Sequence, residues 1–275
     1  MPPPAPLYLP ENCRFITPLT WGVSAFWRSP QTSAPWLDDL AKALEPDGIS
    51  VLGHRLSAPD VSQVSVSTVP TVAPEFIVQR VKGRMQYLVR ATQPKAFHRN
   101  FAIRSYGHVT RSVVENYVAT QLGHHRMADP RIQERFERFQ IEDSTVDLSQ
   151  PEHTSHGIFW HNLHVVLVHR ERWAEVRESV LEDVHDMICK VARLKGYRLS
   201  RAGLLADHIH LTLGCPFGVS PAEVALSYLN NLAYVHGMKP VFQYGAYIGT
   251  FGEYDQRVVA SDETPSHGDE LRGDA

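Results

Sequence analysis

The chain has 275 residues, enough for one large domain or two small ones. Hydrophobic residues make up 43% and charged residues 21%, which excludes a disordered chain, and no apolar run approaches the roughly 20 residues a membrane helix needs. The formal net charge of −3 does not announce a nucleic-acid binder, but residues 261–275 hold five acids and one arginine, so residues 1–260 carry +1 and any DNA binding must rely on local patches.

The opening segment, MPPPAPLYLPENC, is proline-rich and lacks the basic and apolar regions of a secretory signal. Cys13, Cys189 and Cys215 are odd in number and far apart, which argues against a disulfide framework or a zinc site and fits a reducing cytoplasm. The pattern then predicts a strand near 17–27, a helix near 35–45, strands near 49–57 and 61–68, a helix near 74–91 and a strand near 100–106. The helix EFIVQRVKGRMQYLVR turns Val78, Val81, Met85 and Leu88 to a core and leaves Arg80, Lys82, Arg84 and Arg90 outside. A further helix, TRSVVENYVATQLGHH, has Thr110 as N-cap, an apolar stripe of Val113, Val114, Val118 and Leu122, and Gly123 as a stop. Residues 124–156 are charged and look like a linker with one helix in RIQERFERF.

Beyond the linker, IFWHNLHVVLVHR predicts one strand. A helix follows, with Trp173, Val176, Val180, Val184, Met187, Ile188 and Val191 spaced by three and four. Strands near 197–204 and 208–214, a helix near 220–236 and a strand near 244–250 complete the pattern, and the acidic end is expected to be disordered. The two halves match. Asp60 aligns with Asp207 and Pro74 with Pro221, both 147 residues apart, and FHRNFAIRSYG aligns with FQYGAYIGTFG at 145. The expected fold is therefore α+β: two tandem ferredoxin-like βαββαβ domains over 1–125 and 157–256, joined by a linker over 126–156 and followed by an acidic tail over 257–275. Such a fold says nothing of function, so chemistry must come from sites.

Two sites stand out. In Asp207-His208-Ile209-His210-Leu211, a strand points His208 and His210 to one side, about 7 Å apart, where they can share a divalent metal. The same pair also occurs as two polar residues on an exposed face. On the last helix of the first copy, Tyr117 and Gln121 lie one turn apart on one face. A phenolic oxygen can attack phosphorus, and a glutamine oxygen can ligate a hard metal, although a tyrosine packed beside a core gives the same pattern.

Together, the repeat, DHIHL and ENYVATQ resemble the single-tyrosine HUH transposases of small insertion sequences and their relatives associated with repetitive extragenic palindromes. The resemblance spans about 15–123 and 157–255, and FAIRSYG resembles the family's approach to its tyrosine helix. It implies Tyr117 as nucleophile and His208, His210 and Gln121 as ligands of Mg²⁺ or Mn²⁺. It implies cleavage and rejoining of hairpin-containing single-stranded DNA through a 5′-phosphotyrosine. Asp207 is either a support behind the ligands or a strand-end residue.

The departures from the family are asymmetric. Val61 and Gln63 stand where the first copy would carry its histidines, and valine cannot ligate metal. In the second copy the tyrosine position falls on Asp262, in the acidic end, and Tyr254 lies too close to Gly252. Each copy keeps what the other lost, so a self-contained monomer is expected to act as a pseudodimer with one composite site. Arg80, Lys82, Arg84, Arg99 and Arg104 are the candidate phosphate contacts, against the alternative of an ordinary solvated face. The histidines at 153, 156, 161 and 164 are read as polar linker and strand. A replication initiator or nicking enzyme of the same chemistry, or a non-catalytic hairpin-binding protein, are the competing functions.

Overall fold

The computed structural model describes residues 5–125 and 127–253, which form a mixed α/β protein with two six-stranded sheets and six α-helices among those residues. The first half holds β1 (Arg14–Ile16), β2 (Thr20–Trp27), α1 (Leu37–Leu44), β3 (Ile49–Ala58), β4 (Val61–Thr68), α2 (Pro74–Val89) and β5 (Phe97–Tyr106). Next come α3 (Arg111–His124), α4 (Pro130–Arg138), β6 (Ile141–Glu142) and β7 (Glu152–His153). The second half holds β8 (Gly157–Trp160), β9 (Asn162–Val168), α5 (Glu178–Lys195), β10 (Arg198–Leu204), β11 (His208–Gly214), α6 (Pro221–Val235) and β12 (Gly245–Thr250).

The strand orders are β3-β4-β2-β5-β8-β7 and β1-β12-β9-β11-β10-β6. The register repeats between them. Trp21 pairs with Val66 and Ser105, and Leu163 pairs with Leu213 and Thr250. Alternation on β2, β4 and β5 sends Trp21, Val23, Val64, Val66 and Ile103 under α1 and α2, where Leu40, Ile77 and Val81 meet them. In the other sheet Val165, Leu211 and Ile248 meet Ile188 and Leu229 of α5 and α6. Local chemistry sets the helix ends. Ser220 and Glu223 form a reciprocal capping box at α6, and Gly196 closes α5 at φ 69°.

Each half lends a short strand to the other sheet. β1 leads into β2 yet pairs parallel with β12, and β8 leads into β9 yet pairs parallel with β5. The single strand expected over IFWHNLHVVLVHR is therefore two strands in different sheets, broken at the fully buried His161. A continuous apolar run carries no signal of which sheet each part joins. At the seam the bonds are mirrored. Thr20 N–H donates to Thr250 Oγ1 at 2.8 Å and Asn162 N–H to Ser105 Oγ at 2.9 Å. Thr250 Oγ1 donates to the Tyr106 carbonyl and Ser105 Oγ to the Phe251 carbonyl. A Cβ on Gly107 would lie 2.4 Å from the Thr250 carbonyl oxygen, and one on Gly252 would lie 2.8 Å from that of Ser105, so both positions need glycine.

Several local expectations are corrected. α5 starts at Glu178, leaving Trp173 and Val176 ahead of it. Gly123 lies inside α3, which runs to His124, and Val113 is exposed rather than part of the buried stripe. Thr110 is at the N-cap position, but its side chain accepts no bond from the helix. The segment read as a linker holds its expected helix, α4, and also two short strands. Phe136 of α4 is buried in the second core, β6 pairs with β10, and β7 pairs with β8. The three cysteines are free, and no helix among the described residues is long and apolar enough to cross a membrane. The tail over 257–275, with Asp262, lies outside the described residues, as does Tyr254.

Candidate active site

β11 builds one side of the site. Ile209, Leu211 and Leu213 point into the core, so His208 and His210 occupy the opposite face. α3 packs across β10 and β11 on that face. Its buried side carries Val114, Val118 and Leu122, and Leu122 joins the core of the second sheet. Polar contacts fix the docking. Ser200 Oγ donates to Glu115 Oε1 at 2.5 Å, and Arg111 Nη1 donates to Glu115 Oε2 at 2.8 Å. Gly203 of β10 allows the close approach, since a Cβ there would sit 3.1 Å from the Val118 carbonyl oxygen.

This docking brings Tyr117 and the histidine pair together. The Tyr117 ring stands edge-on to His210, centroids 5.6 Å apart, and to His164, at 6.2 Å. Two turns later, His125 stands 5.6 Å from His208. Tyr117 and Gln121 lie one turn apart on α3 and His125 is its C-cap, so Gln121, only 3% exposed, lies along the helix between those two contacts. Tyr117 itself is 47% exposed and open to a substrate.

Burial keeps His164 and His210 neutral. Burial and the neighbouring His164, His208 and His125 push His210 down to about 3, and burial pushes His164 down to about 4. Each thus keeps a ring-nitrogen lone pair at neutral pH. Asp207 Oδ1 and His208 Nδ1 are 2.6 Å apart, and Arg172 donates to Asp207 Oδ2 at 3.1 Å. Burial raises the Asp207 carboxyl, but the His208 hydrogen bond and the His208 and Arg172 charges outweigh it and hold it below the usual range. His164 Nε2 and His210 Nδ1 are 3.0 Å apart, while His210 Nε2 is buried with no hydrogen-bond partner.

Among the described residues, no group of three or more His, Cys, Asp or Glu side chains is gathered to hold a metal. The set offered here is different: two imidazoles and an amide oxygen. The orphaned His210 Nε2 and the carboxylate behind His208 both fit a divalent ion that completes its shell with water or substrate oxygens.

The equivalent positions of the other sheet lack these donors. Val61 pairs with Phe26 as His208 pairs with Val168, which makes Val61 and Gln63 the counterparts of His208 and His210. Gln63 is 2% exposed, and neither of its amide atoms has a partner.

The candidate DNA contacts are mostly occupied within the protein. Arg80 and Arg84 share Asp47, and Arg80 also lies over the Phe76 ring. Lys82 donates to the carbonyls of His98, Arg99 and Asn100, and burial lowers its ammonium to about 8. Arg104 stacks on Trp160 at 3.7 Å, while Arg99 is exposed. Two residues not singled out in the sequence join the site: His164 beside Tyr117 and His125 beside His208. The alternation in NLHVVLV, with Leu163, Val165 and Leu167 inward, was the signal that His164 shares the face of the histidine pair.

No protein-family model and no curated protein matches this chain. Among solved structures it is similar to an unknown protein from Galdieria sulphuraria, with 10% sequence identity and a TM-score of 0.22 over 85% of this chain and 97% of that one.

Proposed function

We propose that this protein cleaves and rejoins single-stranded, hairpin-containing DNA by metal-assisted transesterification, with Tyr117 as nucleophile. The observation that carries the reading is the docking of α3, from the first half, on β11, from the second: Tyr117 meets His210 and His125 meets His208. The Tyr117 oxygen forms a bond to the scissile phosphorus, the bond to the 3′-oxygen breaks, and the products are a 5′-phosphotyrosine and a free 3′-hydroxyl. His208, His210 and Gln121 would hold Mg²⁺ or Mn²⁺, which when bound withdraws charge from a non-bridging phosphate oxygen. Asp207 orients the His208 ring so that its Nε2 faces the site. Return of a 3′-hydroxyl reverses the reaction without external energy. Arg99 is the readiest phosphate contact, and Arg80, Lys82, Arg84 and Arg104 contribute where their internal partners can be exchanged for phosphates.

In this reading the chain is two tandem ferredoxin-like copies packed as a pseudo-two-fold dimer, a monomer with one composite site. The repeated register, the exchanged strands and the mirrored bonds of Ser105 and Thr250 support it.

The test is incubation with hairpin-containing single-stranded DNA and Mn²⁺, with covalent adducts resolved by denaturing electrophoresis and mapped by mass spectrometry. Wild type forms an adduct on Tyr117. Tyr117→Phe forms none and still binds the DNA. An adduct that survives in Tyr117→Phe, or no adduct from a broad hairpin library, overturns the proposal.

A further inference from the structure

We propose that His164 is a positioning residue for His210, holding it with its Nδ1 turned to His164 and its Nε2 turned to the ion. The inference rests on the reading of His208, His210 and Gln121 as a metal site. The two rings lie near one plane, tilted by 16° with centroids 5.2 Å apart, and His164 Nε2 meets His210 Nδ1 at 3.0 Å. Only one proton can occupy that contact between neutral rings. If His210 ligates through Nε2, its Nδ1 must carry the proton, and His164 Nε2 must accept it. His164 then does for His210 what Asp207 does for His208, whose Nδ1 lies 2.6 Å from the carboxylate. The outcome matches the buried His210 Nε2, which has no hydrogen-bond partner.

The repeat supplies an independent argument. His164 pairs with Thr212 and Gly249, and Gly22 pairs with Ser65 and Arg104, which places Gly22 at the position of His164 in the other sheet. The copy with Val61 and Gln63 thus lacks the third imidazole as well as the pair, and the copy with the pair has all three. A histidine kept merely to fill the sheet face would have no reason to follow the pair. Tyr117 also stands edge-on to both rings, so the pair of imidazoles forms the floor beneath the phenol.

Three measurements test this, one of them independent of metal. In metal-free protein labelled with ¹⁵N-histidine, long-range ¹H–¹⁵N spectra report the tautomer of His210. Wild type shows the Nδ1–H form, and His164→Phe, which keeps a ring but removes the acceptor, shows a mixture of forms. Titration with Mn²⁺ gives affinities about 10- to 100-fold weaker for His164→Phe. His164→Gln, whose side-chain oxygen can accept the same proton, recovers most of the loss. His164→Ala replaces the Phe variant should the latter not fold. Pulsed electron resonance of bound Mn²⁺ counts two coordinated imidazoles. An unchanged tautomer and affinity in the deletion variants overturns the inference, and three coordinated imidazoles would make His164 a ligand instead. If wild type binds no Mn²⁺ at all, the metal reading fails, while the tautomer spectra still decide whether His164 orients His210.

Discussion

Gln63 occupies the place that His210 has in the other sheet, and its buried amide has no partner. A buried polar group left unpaired costs stability, so replacing it with an apolar side chain of similar size relieves that cost. Gln63→Leu is expected to stabilise the protein by roughly 1 kcal/mol, which for a chain of this size raises the melting temperature by about 2–4 °C. Adduct formation should be unchanged. His210→Ala, His208→Ala and Gln121→Ala should each lower it together with Mn²⁺ affinity. A Gln63 variant as damaged in chemistry as His210→Ala would show that the first half has a working site of its own. The residue types at these positions were legible in the sequence, because Val61 cannot bind a metal and His208 and His210 alternate on one strand face. His164 was not singled out, since its meeting with His210 depends on the pairing of β9 with β11, which the sequence does not state.

At the scale of elements, α3 decides whether there is a site at all. It is held on β10 and β11 by Val118 and Leu122, by the Glu115–Ser200 bond and by the close approach at Gly203, while Val114 packs on Leu148 and Phe251. Gly203→Val would push the backbone at Val118 away from the sheet and move Tyr117 with it, without altering any ligand. A displacement of about 1 Å in a reacting group costs on the order of 10²-fold in rate. Adduct formation should fall by that order while circular dichroism stays native, and wild-type rates in Gly203→Val would mean that the α3–β10 contact does not set the geometry. The spacing of Tyr117 and Gln121 predicted the helix and its face. It did not predict that the helix continues through Gly123 to His124, which carries the face on to His125. Helical contacts with the sheet outweigh the weak helix-ending preference of a glycine there.

For the whole molecule, the consequence is stoichiometric. The Tyr117 helix and the His208 strand belong to one chain and touch within it, so each chain should carry one site. A mixture of Tyr117→Phe and His208→Ala proteins is therefore expected to stay inactive, because neither chain has both halves. Robust adduct formation in that mixture would show that α3 docks between chains. The sequence by itself determined the repeated element order, the alternating strand faces, and which residue types stand at 61, 63, 117, 121, 208 and 210, because periodicity and residue chemistry are local properties. Only the tertiary structure decided that β1 and β8 exchange sheets, that the segment around α4 adds β6 and β7 to the sheets, and that His164 and His125 lie beside the histidine pair. These depend on which strand edges and helix faces meet between segments far apart in the chain, and that is settled by the burial of whole faces against one another, not by any local pattern.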